Sequence, residues 1–176
     1  TVQQTSLDNT ARSSGSDLKN SFSIAPQVMP PRYIQSIQLY RSGSPDNPPV
    51  IRLGSGEQLV LEFDYLGDAA KQFRVEVTHR NQNWEESALA PGFYLTGFNT
   101  TYIQGGLKSL SRPPSYFHFI YEFPNQQLSF KVSGNYLLSV YDYNTDDLLF
   151  SLPFFITENE GVLETDIEGV FARRQD

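Results

Sequence analysis

Alternation of apolar and polar residues is the clearest pattern in the chain. Residues 59–65 place Leu, Leu, Phe and Tyr at every second position, and residues 73–79 do the same with Phe, Val, Val and His. A period of two over seven residues is typical of a strand with one buried face. Similar patterns predict further strands at 33–41, 50–53, 116–123, 127–132, 136–141 and 148–156. We expect the strand at 116–123, which has apolar residues on both faces, to be buried on both sides.

Turn residues separate these segments, and no window has a persuasive helical period, although residues 84–89 could form one turn. The pattern predicts an all-β fold, an immunoglobulin-like antiparallel β-sandwich of about seven to eight strands. A small outer-membrane barrel is the rival, but it would need strands of about 9–11 residues with one lipid-facing side. The two-sided apolar strands and proline-rich loops fit that architecture badly.

Two aromatic residues support the sandwich. Tyr136 follows the turn at 133–135 and stands two residues before an apolar position, which is the spacing of a tyrosine corner. We expect its hydroxyl to bond to the backbone near residues 131–133. Trp84 is the single tryptophan and follows the third strong strand, so we expect both rings to be mostly buried. Pro153 lies inside the last strand and predicts that this strand is at a sheet edge.

The ends of the chain differ from its middle. Residues 1–31 are rich in Ser, Gln, Asn, Asp and Thr and close on Pro30 and Pro31. This composition predicts a flexible N-terminal arm, because it offers too little apolar surface to fold alone. The sandwich is expected at 32–158, and 159–176 is expected to be a linker or the start of a second domain.

Charge and cysteine content narrow the possible functions. The formal net charge is −7 and the pI is about 4.8, which argues against nucleic acid and against an anionic membrane surface as partners. The chain contains no cysteine, so a disulfide framework, a thiolate metal site and a cysteine nucleophile are excluded. No apolar stretch approaches the roughly 20 residues of a membrane-spanning helix.

Candidate metal sites are poor. His79 and His118 are the only histidines and both lie in strand patterns; without a third ligand, structural hydrogen bonding is the favoured role for each. Residues 142–147 begin like a calcium loop, but Asp147 stands where the sharp bend needs glycine and Pro153 where a bidentate glutamate belongs. We therefore predict a polar hairpin turn there, no stoichiometric metal and no cofactor.

Catalytic motifs are also missing. The sequence has no nucleophile elbow, phosphate loop or dinucleotide fingerprint, and Glu85 and Glu86 are expected to form a solvated loop face. We predict that the chain is not an enzyme and has no small-molecule substrate.

The segment Gly92–Phe98 is the best candidate for a working surface. It places three aromatic residues between glycines, outside the predicted strands: Phe93, Tyr94 and Phe98. They could cover one open end of the sandwich, as apolar residues usually do. They could instead form an exposed patch that binds a protein partner, and we take them as the candidate partner-binding residues.

A set of short motifs occurs in an order that resembles a known family. The motifs are Tyr33–Arg41, His79–Trp84, Phe93–Phe98, Tyr116–Phe119 with Phe123–Asn125, and Ser133–Tyr141. Together they resemble the N-terminal domain of the type IX secretion system plug proteins of Bacteroidetes, over about residues 33–158. Two positions depart from the family pattern: Arg80 stands where the family usually has cysteine, and Asn83 where it usually has aspartate.

The resemblance implies a function and a location. Members of the family are periplasmic proteins, associated with the outer membrane, that close the inner mouth of a very large outer-membrane β-barrel translocon. They continue into a second, larger β-rich domain, which would begin near the end of this chain. The implied role is a non-catalytic protein-binding module that does not span the membrane.

One alternative function remains from the residues themselves. A carbohydrate-binding β-sandwich domain of an envelope protein would use Trp84, Phe93 or Tyr94 as a stacking platform. That function requires the rings to be exposed and coplanar, whereas a tyrosine-corner sandwich with Trp84 in its core requires the indole to be buried.

Overall fold

The strands are arranged as two facing sheets in the computed structural model, which describes residues 28–109 and 115–158. The elements in these ranges are β1 (Ile34–Arg41), β2 (Val50–Arg52), β3 (Leu59–Leu66), β4 (Phe73–Arg80), α1 (Pro91–Tyr94), β5 (Leu95–Gly97), β6 (Thr100–Ile103), β7 (Leu107–Lys108), β8 (Tyr116–Phe123), β9 (Leu128–Phe130), β10 (Gly134–Asp142) and β11 (Leu148–Thr157). None of the described elements is a helix long and apolar enough to cross a membrane.

Strand order differs between the two main sheets. One sheet has four strands in the order β1-β3-β8-β7, and the other has five in the order β2-β11-β10-β4-β6. Neighbours are antiparallel except β2, which runs parallel to β11. A separate two-stranded ladder joins β5 to β9. The all-β sandwich prediction is confirmed, with the parallel β2 as an exception to the antiparallel pattern.

Aromatic rings from both sheets meet in the core. Phe63 of β3 stacks on Phe119 of β8 with ring centroids 5.2 Å apart. The Phe63 ring also meets Phe73 of β4 edge-to-face at 5.0 Å and Phe150 of β11 at 5.5 Å. All four side chains are almost fully buried, so this cluster joins the two sheets through the inward positions that the alternation predicted. Offset and edge-to-face pairs add about 0.5–1.5 kcal/mol each to the burial energy.

The eight strands expected from the sequence are all present. Three further short strands, β5 to β7, lie between β4 and β8, where the sequence pattern predicts no strand. The turn expected at residues 84–89 is not helical; the only described helix is α1. The expectation that β8 is buried on both faces is wrong, because Ile120 on its outer face is 48% exposed. The central strand β10 has the longest run of consecutive buried positions among the described strands, from Tyr136 to Val140.

Pro153 of β11 faces Leu137 of β10, while β2 pairs only with residues 155–157 of β11. On the side away from β10, β11 therefore has no described neighbouring strand at Pro153. This locally free side accommodates a residue without an N–H, but the expectation that the last strand lies at a sheet edge is wrong, because β11 lies between β2 and β10.

The tyrosine corner is confirmed. Tyr136 is fully buried, and its hydroxyl donates a hydrogen bond of 2.8 Å to the carbonyl oxygen of Val132.

The expectation that Trp84 is mostly buried is wrong, because this residue is only partly buried. Its ring meets Phe155 edge-to-face at 5.6 Å, and Phe155 is itself 36% exposed. The indole therefore packs outside the core, where a backbone φ of 64° turns the chain after β4.

The connection between β10 and β11 is a polar hairpin turn, as predicted. The carboxylate of Asp142 accepts a hydrogen bond of 2.9 Å from the N–H of Asn144 and forms an ion pair with the ammonium group of Lys71. Burial alone would raise the pKa of Asp142, but the hydrogen bonds from Lys71 and Asn144 hold it below its ordinary value. The cation that this carboxylate binds is therefore a lysine of the same chain.

The predicted arm and tail fall mostly outside the described residues. Only residues 28–31 of the expected arm at 1–31 are described, and they are largely exposed. The segment expected to be a linker or the start of a second domain, residues 159–176, lies wholly outside.

Candidate partner-binding surface

The chain from α1 to β6 holds the candidate aromatic residues. Consecutive residues on a helical turn point about 100° apart, so Phe93 and Tyr94 in α1 face different surroundings. Phe93 is 70% exposed, whereas Tyr94 is only 3% exposed. One residue is thus available to a partner and its neighbour anchors the turn.

Tyr94 is a correction to the predicted partner-binding set. Its ring centroid lies 5.7 Å from that of His79 and 6.1 Å from that of Tyr136, inside the main core cluster. Burial raises the pKa of Tyr94. The side chain closes the end of the sandwich, which was the alternative interpretation of this segment, and it cannot contact a partner in this fold.

Strand β9 fixes the segment from the other side. The backbone N–H of Lys131 donates to the carbonyl of Tyr94 at 2.9 Å, and its ammonium group donates to the carbonyl of Gly92 at 2.8 Å. Gly97 has a φ of 92° and approaches Gln127 so closely that a Cβ would lie 2.0 Å from the Gln127 carbonyl oxygen. Only glycine fits this contact, because a side chain would meet both a disfavoured backbone angle and a fixed carbonyl.

Phe98 emerges directly after that contact. Its N–H donates to the carbonyl of Gln127 at 3.0 Å, and its ring is 73% exposed. It borders an open groove of about 560 Å³ whose lining includes Thr100, Tyr102 and Gln127. A volume in this range is common for ligand-binding clefts, which span roughly 300–1,000 Å³.

Tyr102 is a candidate that sequence reasoning missed. It is 51% exposed and meets the ring of Tyr143 edge-to-face at 5.6 Å. The signal was a run of strand-favouring residues, Thr-Thr-Tyr-Ile, at 100–103, but four residues inside an irregular segment are too few to identify a strand. We use the term aromatic surface for Phe93, Phe98 and Tyr102, which are held by α1, the end of β5 and β6.

The two histidines lie apart in the fold. His79 continues the inward positions of β4 and meets Tyr136 edge-to-face at 5.0 Å, while His118 on β8 is bonded through Nδ1 to Asp64 at 2.8 Å. The predicted structural hydrogen bond is present for His118. For His79 the prediction is wrong at Nδ1, because this nitrogen is buried and has no hydrogen-bond partner in the described part of the chain. Residues 28–109 and 115–158 contain no group of three or more potential metal ligands.

The rings proposed for sugar stacking do not form a shared platform. Trp84 lies against Phe155 with an interplanar angle of 78°, and Tyr94 is buried. Of the three, only Phe93 presents a largely exposed ring.

Sequence comparison decides the family. A sequence profile of the type 9 secretion system plug protein first domain matches residues 34–158. The chain belongs to this family. The family description assigns the matched region to the first domain of a plug protein of the type 9 secretion system.

Solved structures resemble the plug-family fold to different degrees. A hypothetical protein from Parabacteroides merdae is 32% identical, with a TM-score of 0.71, and the alignment covers 75% of this chain and 34% of that one. The chain thus spans about a third of the length of that protein. A Pseudomonas fluorescens alkylpurine DNA glycosylase has a TM-score of only 0.36 and is 14% identical, with the alignment covering 70% of this chain and 30% of that one. A Listeria innocua β-glucosidase has a TM-score of 0.33 and is 12% identical, with the alignment covering 69% of this chain and 16% of that one. These two likenesses are too weak to bear on function, and no curated protein matches the chain.

Proposed function

We propose that this domain helps to seal the periplasmic mouth of the type 9 secretion translocon, an outer-membrane β-barrel, by binding it as a protein partner. The observation that carries the proposal is the family match over residues 34–158. The domain would act in the periplasm, associated with the outer membrane and without a catalytic step.

The aromatic surface supports a protein-binding role. Phe93 and Phe98 are each exposed by more than two thirds, yet the buried Tyr94 and the contact of Gly97 with Gln127 fix the backbone between them. Rigid exposed aromatic side chains are common anchors at protein interfaces, because they bury much apolar area at little entropic cost. Phe93 and Phe98 are therefore the proposed partner-binding residues.

The charge of the chain agrees with a reversible seal. A barrel that passes folded cargo has a polar, water-filled lumen, which suits a plug with a polar surface. A net charge of −7 would also speed association with a basic rim, and this effect weakens as salt rises.

Deleting the gene in its native host tests the function. We expect the outer membrane to become more permeable to a large glycopeptide antibiotic, because the translocon would stand open between cargo molecules. The control is the same deletion in a strain that also lacks the translocon barrel, where permeability should stay at its basal level. Unchanged permeability, or an equal rise in both strains, would refute the sealing role.

A further inference from the structure

Strand β6 is the outermost strand of the five-stranded sheet, and three of its four residues, Thr100, Thr101 and Tyr102, line the groove beside the aromatic surface. We infer that β6 is a docking edge, and that an extended, uncharged segment of the translocon barrel pairs with it as an added strand. This inference rests on the proposed function and specifies how that partner is bound.

The hydrogen-bond register shows which backbone groups are free to pair. The N–H of Val77 donates to the carbonyl of Asn99, and the ladder continues with Val75 opposite Thr101. Positions alternate in an antiparallel ladder, so Asn99 and Thr101 direct their N–H and C=O groups toward β4. Thr100 and Tyr102 therefore direct theirs away from β4, into the groove.

The same side of the chain already forms strand pairs just upstream. β5 pairs with β9, and the N–H of Phe98 bonds to Gln127, where that pairing ends. The groove begins at this point and follows β6. An added strand would continue a line of pairing that the fold itself uses.

The other outermost strands of the two main sheets carry features that prevent such pairing. β1 has an irregular register between Gln35 and Gln38, β2 is three residues long and follows Pro48 and Pro49, and β7 is two residues long and contains Lys108. Proteins use bulges, prolines, lysines and short strands to protect sheet edges from unwanted partners. In the described part of the chain, β6 is also short, with four residues, but it reads Thr-Thr-Tyr-Ile with an unbroken register and contains no proline, lysine or bulge.

The lining of the groove indicates the chemistry of its occupant. The seven lining residues carry no charge and include Phe98, Thr100 and Tyr102, although the chain as a whole is acidic. An extended segment with β-branched or aromatic side chains at alternate positions fits this surface, with main-chain bonds supplying affinity. A charged segment would lose solvation without gaining an ionic partner.

Residue-resolved hydrogen exchange on the complex with purified, detergent-solubilised translocon barrel tests this pairing. The amides of Thr100 and Tyr102 should exchange at least about tenfold more slowly when the barrel is bound, because each gains a hydrogen bond. Those of Thr101 and Ile103, already bonded to β4, should change much less. This alternation is specific to an added strand, since simple coverage would protect neighbours alike.

A pair of variants at one position provides the second readout. Thr100→Pro removes the outward N–H without removing a donor from the β4 ladder, and Thr100→Ala removes the side chain but keeps that N–H. We expect Thr100→Pro to bind the barrel about tenfold more weakly than Thr100→Ala, a difference equivalent to one hydrogen bond. Denaturation curves establish that both variants fold. The hydrogen-exchange test uses the unsubstituted chain and therefore does not depend on the folding of either variant.

The outcomes separate the two proposals. If the unsubstituted chain does not bind the barrel, both the sealing function and the docking edge are refuted. If it binds while the Thr100 and Tyr102 amides stay unprotected and the two variants bind equally, only the docking edge is refuted. If the same amides are protected without the barrel and the mass in solution is that of a dimer, the occupant is a second copy of this chain and the inference is wrong.

Discussion

Replacing Gly97 by alanine is expected to lower the free energy of unfolding by about 2–4 kcal/mol, combining backbone strain and overpacking. The added Cβ would lie 2.0 Å from the carbonyl oxygen of Gln127, and the backbone φ of 92° disfavours any L side chain. The obstacle is the backbone carbonyl just before β9, which also accepts a hydrogen bond from Phe98, so a rotamer change cannot relieve it. Urea denaturation followed by tryptophan fluorescence measures the loss.

Gly92→Ala is the matched control for Gly97. A Cβ on Gly92 would meet nothing within 4 Å, and its φ is not positive. Because Gly92 lies in α1, alanine there should be neutral or stabilising by up to about 1 kcal/mol. Equal unfolding midpoints for the two variants would contradict the close contact between β5 and β9.

Tyr136→Phe is expected to cost about 1–3 kcal/mol, because the partly buried carbonyl of Val132 loses its hydrogen-bond donor. The ring keeps its volume and its stacking on Phe154 at 5.4 Å, so the loss reports the hydroxyl bond alone. An unchanged denaturation midpoint would count against the tyrosine corner as a stabilising feature.

The same variant should change the response to alkaline pH. Burial raises the pKa of Tyr136 above its ordinary value, with a smaller contribution from Tyr94. An unfolded tyrosine ionises near pH 10, so below that pH both states keep the proton and the tyrosine's contribution is complete. Above it the unfolded chain releases the proton and the folded chain does not, so stability falls by up to about 1.4 kcal/mol per pH unit for this residue. Because Tyr40, Tyr94 and Tyr141 also have raised pKa values, the difference in slope between the unsubstituted chain and Tyr136→Phe isolates Tyr136.

The sandwich could be predicted because its long strands bury alternate residues. In β3 and β4 the inward positions are Leu59, Leu61 and Phe63 and then Phe73, Val75 and Val77, all nearly inaccessible to solvent. Period-two burial is a local property that the sequence carries directly. The tyrosine corner was also local, since Tyr136 and Val132 are four residues apart.

The errors arose where distant parts of the chain decide the outcome. Phe93 and Tyr94 are adjacent and similar in polarity, and only the position of the core beneath α1 makes Tyr94 the buried one. Trp84 was expected in the core because it follows the third strong strand, but its left-handed backbone turns it toward the outer face of β11. The parallel pairing of β2 with β11 joins residues about a hundred positions apart, which no local pattern records.

The aromatic surface could be predicted only in part, because distant parts of the chain also position it. Phe93 and Phe98 stand among glycines outside the long strands, which is a visible composition signal. Tyr102 and the free edge of β6 depend on the order of strands in the sheet, which follows from long-range pairing.

Electrical conductance of the purified translocon barrel in a planar bilayer tests the sealing role most directly. Addition of the chain to the periplasmic side should lower the open conductance in a saturable manner, and the Phe93→Ala, Phe98→Ala double variant should need a higher concentration because both exposed rings are proposed anchors. A variant at an exposed residue away from the aromatic surface, Ile120→Ala, should block like the unsubstituted chain. Unchanged conductance at saturating chain, or equal block from the extracellular side, would contradict the proposal that this domain closes the periplasmic mouth.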